Sequence, residues 1–495
     1  MYKTFDEIIT QLRKYSFSDK IAFLFNNALE ISSVAGIDLH RDNEIFPWEL
    51  EFLVELSLFA IEDSNCEPIN TQEMAKIATF IRNYRHSHFQ EISDTFISDV
   101  MMVLAATQFK VQENIYNRLF RFWFYFSFKN NELDMEKEFK NTYGCDYYEF
   151  MTFAMLIRFY ISRELAGKTY ATARDIWVFI LSHYEHIVKQ LSITREQYVN
   201  DQSEKNNGCI ENGYYGFNYI HSYPFVIEKE ALYMPLPYLI VDAVTDSLFT
   251  RLTYGNDNLR ERIGKQTAES YLTYILTDGK VYDEVYKEVE YYIGKKRIES
   301  PDVMIRKGSK ICVFDSKLST PGINIRQFDS KEIDKIVSRH ADFVVQTYNR
   351  IKEFKYYNPF SKEIDYTEDD IFGIISVHED SYVLKERVYN RAIDKLGLKK
   401  EDADYLVSHV FVLPLSQIEK YALYSRDIFP AIIDRRDDSN TWMDFNIVDC
   451  GSVSESNRIP AYENFMLYEE DLMMQVARDL VQNGLIRDNE IDNLK

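Results

Sequence analysis

Two aspartates and a lysine in the second half of the chain are the residues whose types and spacing most directly suggest chemistry. They lie in residues 299–319, which read ESPDVMIRKGSKICVFDSKLS. The β-rich runs VMIR and ICVFDSK are joined by Lys307-Gly308-Ser309-Lys310, and Gly308 suits the turn. Side chains alternate faces along a strand, so Asp315 and Lys317 are expected on one face, with Phe314 and Ser316 on the other. Asp302 opens the first run, where a hairpin would bring it beside Asp315. Hard divalent cations such as Mg²⁺ take oxygen ligands, often one or two protein carboxylates with water and substrate phosphate. A bound ion polarises the phosphate and lowers the pKa of an attacking water, while a nearby lysine adds positive charge to the transition state. Asp302 and Asp315 as metal ligands with Lys317 beside them therefore read as a phosphodiesterase site using Mg²⁺ or Mn²⁺. Asp315 directly follows the apolar run ICVF, where a carboxylate is costly to bury without a cation or a donor.

The elements that must hold these residues can be read from hydrophobic periodicity. Over residues 1–205, IAFLFNNALEI, WELEFLVELSLFAI, EMAKIATFIRNY, FISDVMMVLAATQF and IWVFILSHYEHIVKQL carry apolar residues at three- and four-residue intervals, and predict helices. The polar stretch 201–216, DQSEKNNGCIENGYYG, is the predicted domain boundary. Beyond it HSYPFVIEKEALYMPLPYLIVDAVTDSLFTRLTY begins with a short extended piece and continues as an apolar helix, and ERIGKQTAESYLTYILTDG is a second helix, capped by Gly279. The period then changes to two over residues 297–317, and FGIISVHED and SHVFVLPLS are later buried strands. The chain closes with the amphipathic helix NFMLYEEDLMMQVARDLVQNGL. The expected architecture is α+β and multidomain. A helical domain over 1–205 serves target recognition, sensing or dimerisation, an α/β domain over 216–450 carries the chemistry, and 451–495 is a helical extension.

Pro301-Asp302, twelve intervening residues, then Asp315-Ser316-Lys317 resembles the signature of the PD-(D/E)xK, or restriction-endonuclease-like, nuclease superfamily. The resemblance covers roughly residues 255–415. It implies a central mixed sheet flanked by helices, Mg²⁺- or Mn²⁺-dependent hydrolysis of nucleic acid with DNA favoured, and a role in bacterial anti-phage defence or DNA processing. It also implies a further metal-binding glutamate on the helix before the hairpin, where Glu269 stands. Gln346, on the helix after the DxK strand, is similar to the glutamine of the RecB-like branch. The tyrosine expected four residues later is replaced by Arg350, and the nearest tyrosine is Tyr348. Homodimers are frequent in the superfamily, so a second copy is an expected partner, and a separate protein partner remains open.

Charge fits this reading locally. Between residues 291 and 326 there are eight basic residues and three acidic ones, in a chain of net charge −22. Lys295, Lys296, Arg297, Arg306, Lys307 and Lys310, with Gln346, are the predicted nucleic-acid contacts, since neutralising phosphates requires such a patch. The acidic whole argues against a surface that coats nucleic acid broadly. With 46% hydrophobic and 27% charged residues the chain has the composition of a folded protein. Five scattered cysteines without a CxxC argue for a reducing compartment and against both a disulfide framework and a structural zinc site. The amino terminus does not read as a signal peptide and no run is apolar enough for a membrane helix, so a cytoplasmic location is expected.

Two rival readings stay open. Arg82 stands six residues before His88, a spacing loosely similar to the arginine–histidine motif of HEPN ribonucleases, helical enzymes that need no metal; the other rival is a non-enzymatic interaction protein with a degenerate nuclease fold. His183 and His186 in HYEH are three apart on a helix and could share a metal, but no acidic third ligand is evident nearby, so they read as structural. No P-loop, G-x-G-x-x-G or G-x-S-x-G occurs, which argues against a nucleotide motor, a Rossmann enzyme and an α/β-hydrolase.

Overall fold

A computed structural model describes residues 2–32, 45–84, 99, 102–104, 113–165, 170–214, 216–320, 330–360, 365–435 and 457–485. It is a mixed α/β protein. A small sheet joins β1 (Ser192–Thr194), β2 (Phe225–Glu228) and β3 (Ala231–Tyr233). A two-stranded ribbon is made by β5 (Glu290–Ile293) and β6 (Lys296–Glu299). The main sheet has five strands in the order β10-β9-β8-β7-β4, built from β4 (Glu284–Lys287), β7 (Val303–Lys307), β8 (Lys310–Lys317), β9 (Ile371–Val377) and β10 (Val410–Pro414). The β4–β7 and β7–β8 pairs are antiparallel, whereas the β8–β9 and β9–β10 pairs are parallel.

That arrangement follows from the sequence. The β7–β8 hairpin closes on Gly308, whose φ of 60° is the left-handed conformation such a turn needs. A parallel β8–β9 pair demands a crossover, and the 24-residue helix Ser330–Glu353 lies in that connection. Parallel strands are covered on both faces, and every residue of β9 is buried. Met304, Ile311, Val313 and Ile375 pack on the side of helix Ser330–Glu353. Val303, Ile305, Cys312, Phe314, Phe372 and Ile374 face the opposite way, into a core shared with helices Ile115–Ser127, Tyr147–Leu165, Glu269–Asp278 and Leu415–Ala422. Gly373 in β9 admits the crossover helix closely, since an added Cβ would stand 2.5 Å from Thr347 Cγ2 and 2.9 Å from Ile351 Cδ1.

The expected division at residue 205 is not where the packing divides. Part of the stretch 201–214 is packed inside: helix Arg195–Lys205 buries Tyr198 and Gln202, and Asn206 Nδ2 donates to the buried Glu55 at 2.7 Å. The core built by the first four helices, from Phe5 to Ile81, continues through Ile193, Ile220 and Leu239. Helix Ile115–Ser127, expected to belong with the helical domain, instead shares the core of the main sheet. In this polar stretch the Gln202 and Asn206 side chains satisfy buried Glu55 and backbone rather than water. The closing helix, Pro460–Gln482, also joins the main core through Tyr462, Phe465 and Leu480.

A buried ionic chain ties the two cores together. His221 Nε2 lies 2.8 Å from Glu51 and its Nδ1 3.0 Å from Asp242. Asp242 is 2.5 Å from Arg118, which also reaches Asp246 at 3.4 Å. Burial alone would lower the His221 pKa, but the two carboxylates outweigh it and push the imidazole up to about 9. No helix among the described residues is long and apolar enough to cross a membrane.

Candidate active site

Asp302, Asp315, Lys317 and Glu269 come from three elements that meet at one end of the main sheet. The β7–β8 register pairs Val303 with Phe314, so the next step of the ladder sets Asp302 opposite Asp315. Asp302 stands just before β7, where its Oδ2 accepts the Ser316 N–H at 2.5 Å and its carbonyl accepts the Glu288 N–H at 3.0 Å. Asp315 and Lys317 share the strand face turned toward helix Ser330–Glu353, as alternation requires. Thr347 Oγ1 on that helix donates to Asp315 Oδ2 at 2.6 Å. Lys317 Nζ lies 4.0 Å from Asp315 Oδ1 and 5.7 Å from the Phe343 ring centroid. The end of β8 is fixed in turn by His378, whose N–H donates to the Lys317 carbonyl at 3.0 Å.

Glu269 reaches the cluster from the preceding helical segment. Residues Ile263–Ala268 form a π-helical turn that runs into helix Glu269–Asp278. Single π turns inside helices occur often at functional sites. The turn abuts the end of β8, with a Cβ added at Gly264 falling 3.4 Å from Leu318 Cβ. Burial and then the charges of Asp302 and Glu288 push the Glu269 carboxyl up to about 8. Burial and then the charge of Asp315 push Asp302 up to about 7, against the opposing pull of the Ser316 N–H and Lys317. Glu288 is also raised, by burial and by Glu299. These carboxylates therefore sense one another, and the opposing charges of Lys265 and Lys317 do not outweigh burial and mutual repulsion at Glu269.

Sequence reasoning missed Thr347, Phe343 and Glu288. Thr347 and Phe343 lie four apart on an amphipathic helix and look there like ordinary inward-facing positions. Gln346, next to Thr347, is exposed.

The predicted basic patch divides into two groups. Arg306, Lys307 and Lys310 lie at the turn of the β7–β8 hairpin, opposite to the Asp302 end. Each is held by acids: Arg306 by Asp283 and Glu284, Lys307 by Asp427 at 3.0 Å, and Lys310 by Asp370 at 2.6 Å. Lys295, Lys296 and Arg297 occupy the tip region of the β5–β6 ribbon, where Arg297 pairs with Glu290. Lys295 and Lys296 are exposed. The base of this ribbon adjoins Asp302, because Ser300 N–H donates to the Val289 carbonyl at 2.9 Å while Glu288 bonds to Asp302.

Other candidate groups sort differently. Arg82 Nε and its terminal nitrogen grip Glu49 at 2.7 and 2.9 Å, and its guanidinium stacks over Phe46. His88 lies outside the described residues. Among the described residues, two sets of three donors have all their ligand atoms within 4.8 Å of one another: Cys145, Glu149 and His186, and Asp246, His378 and Glu379. Glu269, Asp302 and Asp315 do not form such a set. The first set corrects the expectation that His186 has no acidic neighbour, because Glu149 lies far from it in sequence but not in space.

No protein-family model, curated protein or solved structure matches this chain.

Proposed function

We propose that the chain is a metal-dependent nuclease of the PD-(D/E)xK kind, with Glu269, Asp302, Asp315 and Lys317 as its site. The observation that carries this reading is the meeting of three carboxylates and one lysine at the end of a β-hairpin, with Glu269 and Asp302 each raised by burial and by a neighbouring carboxylate. Oxygen donors of this kind suit Mg²⁺ or Mn²⁺, and Asp302, Asp315 and Glu269 would hold the ion by drawing their carboxylates closer together than they stand. When bound, that ion would activate water and offset charge on the scissile phosphate.

The remaining roles belong to the chain's own groups. Thr347 fixes one oxygen of Asp315 and leaves Oδ1 on the side of Lys317. The Ser316 N–H does the same for Asp302. Lys317, packed against Phe343, would orient the attacking water and stabilise charge on the phosphate. Lys295 and Lys296 on the β5–β6 ribbon, whose base adjoins Asp302, are the basic residues best placed to engage backbone phosphates. DNA is the favoured substrate, in anti-phage defence or DNA processing, by analogy with the superfamily.

The test is cleavage of plasmid, single-stranded DNA and RNA with Mg²⁺, Mn²⁺ or EDTA. Asp315→Ala and Lys317→Ala should each lower metal-dependent cleavage by at least about 10²-fold while the protein stays folded. Full activity in either variant would remove the assignment. RNA cleavage that persists in EDTA and disappears in His88→Ala would favour the HEPN-like alternative instead.

A further inference from the structure

Outside the Asp302–Asp315 cluster, a second group of side chains brings together three different donor chemistries. The helix Met135–Tyr143 stops at Gly144, whose left-handed φ of 76° turns the chain into Cys145. Cys145 precedes helix Tyr147–Leu165, and Glu149 on its first turn stands four residues later, on the same side. His186 belongs to a short helix, Glu185–Gln190, that is brought up against this turn. The Gln190 amide donates to the Tyr143 carbonyl at 2.7 Å, clamping the short helix to the residue just before Gly144. His186 Nε2 then lies 3.1 Å from Glu149 Oε2, and the Cys145 sulfur, the Glu149 oxygen and the His186 nitrogen all fall within 4.8 Å of one another.

We propose that Cys145, Glu149 and His186 form a Zn²⁺ site that tethers helix Glu185–Gln190 to the start of helix Tyr147–Leu165. The donor set selects the ion. Mg²⁺ and Ca²⁺ take oxygen ligands, whereas a thiolate with an imidazole and a carboxylate is the mixture that Zn²⁺ accepts in tetrahedral coordination. A spacing below 4.8 Å leaves room for the donors to close on one ion with short Zn–S, Zn–N and Zn–O bonds. Burial differs usefully among the three. Cys145 is only 5% exposed, which sets its sulfur at the floor of the site. The side chains of His186 and Glu149 are 46% and 43% exposed, so an ion can enter from solvent and keep a water in its fourth position. The cysteine binds as thiolate, its proton passing to the buffer.

Cobalt substitution tests this directly, because a Co²⁺–thiolate bond gives a near-ultraviolet charge-transfer band that an all-oxygen site cannot give. Metal-stripped full-length protein titrated with Co²⁺ should develop this band to saturation at one ion per chain. Zn²⁺ should bleach it, and excess Mg²⁺ should leave it unchanged. Cys145→Ala should abolish the band, and His186→Ala, at an exposed position, should weaken Co²⁺ binding by about 10–100-fold without altering the circular dichroism of the fold. Absence of the band in the parent protein, its persistence in Cys145→Ala, or unchanged affinity in His186→Ala would each overturn the proposal. The readout is independent of nuclease activity, so its failure would leave the proposed function standing.

Discussion

Thr347 Oγ1 donates to Asp315 Oδ2 at 2.6 Å, joining the crossover helix to the strand that carries the DSK residues. Both groups are buried, so this bond is the local means by which Asp315 is oriented and solvated. Thr347→Val keeps the shape and removes the donor. The carboxylate then loses its fixed rotamer, and the buried acceptor is left without that partner at a cost of about 1–3 kcal/mol. If Asp315 holds a metal ion, the larger effect falls on function. The Mg²⁺ concentration needed for half-maximal cleavage should rise by about 10–100-fold, as for other residues that orient a metal ligand. Metal titration of cleavage rate, alongside a thermal melt, separates the two effects; an unchanged Mg²⁺ requirement would deny Thr347 this role.

The raised carboxyls of Glu269 and Asp302 tie stability to pH in a definite direction. In the unfolded chain both titrate near pH 4, whereas in the fold they titrate near 8 and 7. Between those limits the native state binds more protons than the unfolded one, so stability falls as pH rises from about 4 to about 8. A divalent ion that replaces the missing protons reverses the loss. Thermal melts should therefore show Mg²⁺ raising Tm more at about pH 8.5 than at about pH 5.5. Asp302→Asn should flatten the metal-free decline and shrink the Mg²⁺ effect. Equal Mg²⁺ shifts at the two pH values would show that these carboxyls are not what the ion titrates against.

Much of this site could be read in the chain because local rules govern it. Gly308 between two β-rich runs fixed the hairpin, and strand alternation set Asp315 and Lys317 on one face. β9 and β10 were visible as short buried apolar runs. What escaped was what depends on contacts between distant segments. Thr347 lies 32 residues from the aspartate it serves, and Glu149 lies 37 from His186. β4 and β5 were missed because EVYK and EYYI are half charged or polar, β4 being the edge strand of the main sheet and β5 one strand of a two-stranded ribbon. Within the polar stretch 201–216, Gln202 and Asn206 are internal partners of Glu55, a pairing that composition cannot reveal.

The absence of a clean division between helical and sheet halves has an energetic test at Arg121. This residue, on helix Ile115–Ser127, bonds both oxygens of Glu419 on helix Leu415–Ala422 at 2.8 and 2.7 Å. Glu419 is fully buried and also accepts the Tyr271 hydroxyl at 2.7 Å, while Glu113 supplies a second carboxylate to Arg121. Burial pushes the Glu419 carboxyl up even though Arg121 opposes it, so the charge there depends on the guanidinium. Arg121→Ala would leave a buried carboxylate uncompensated and should cost about 3–5 kcal/mol. Replacing both partners, Arg121→Met with Glu419→Met, removes both desolvation penalties and should recover most of that loss. Denaturant melts of the parent, single and double variants measure the difference. Because the pair joins residues 298 apart in sequence, the single variant should lower the midpoint for helical and sheet segments together. Loss confined to one half, with the other unfolding at its original midpoint, would restore two independent domains.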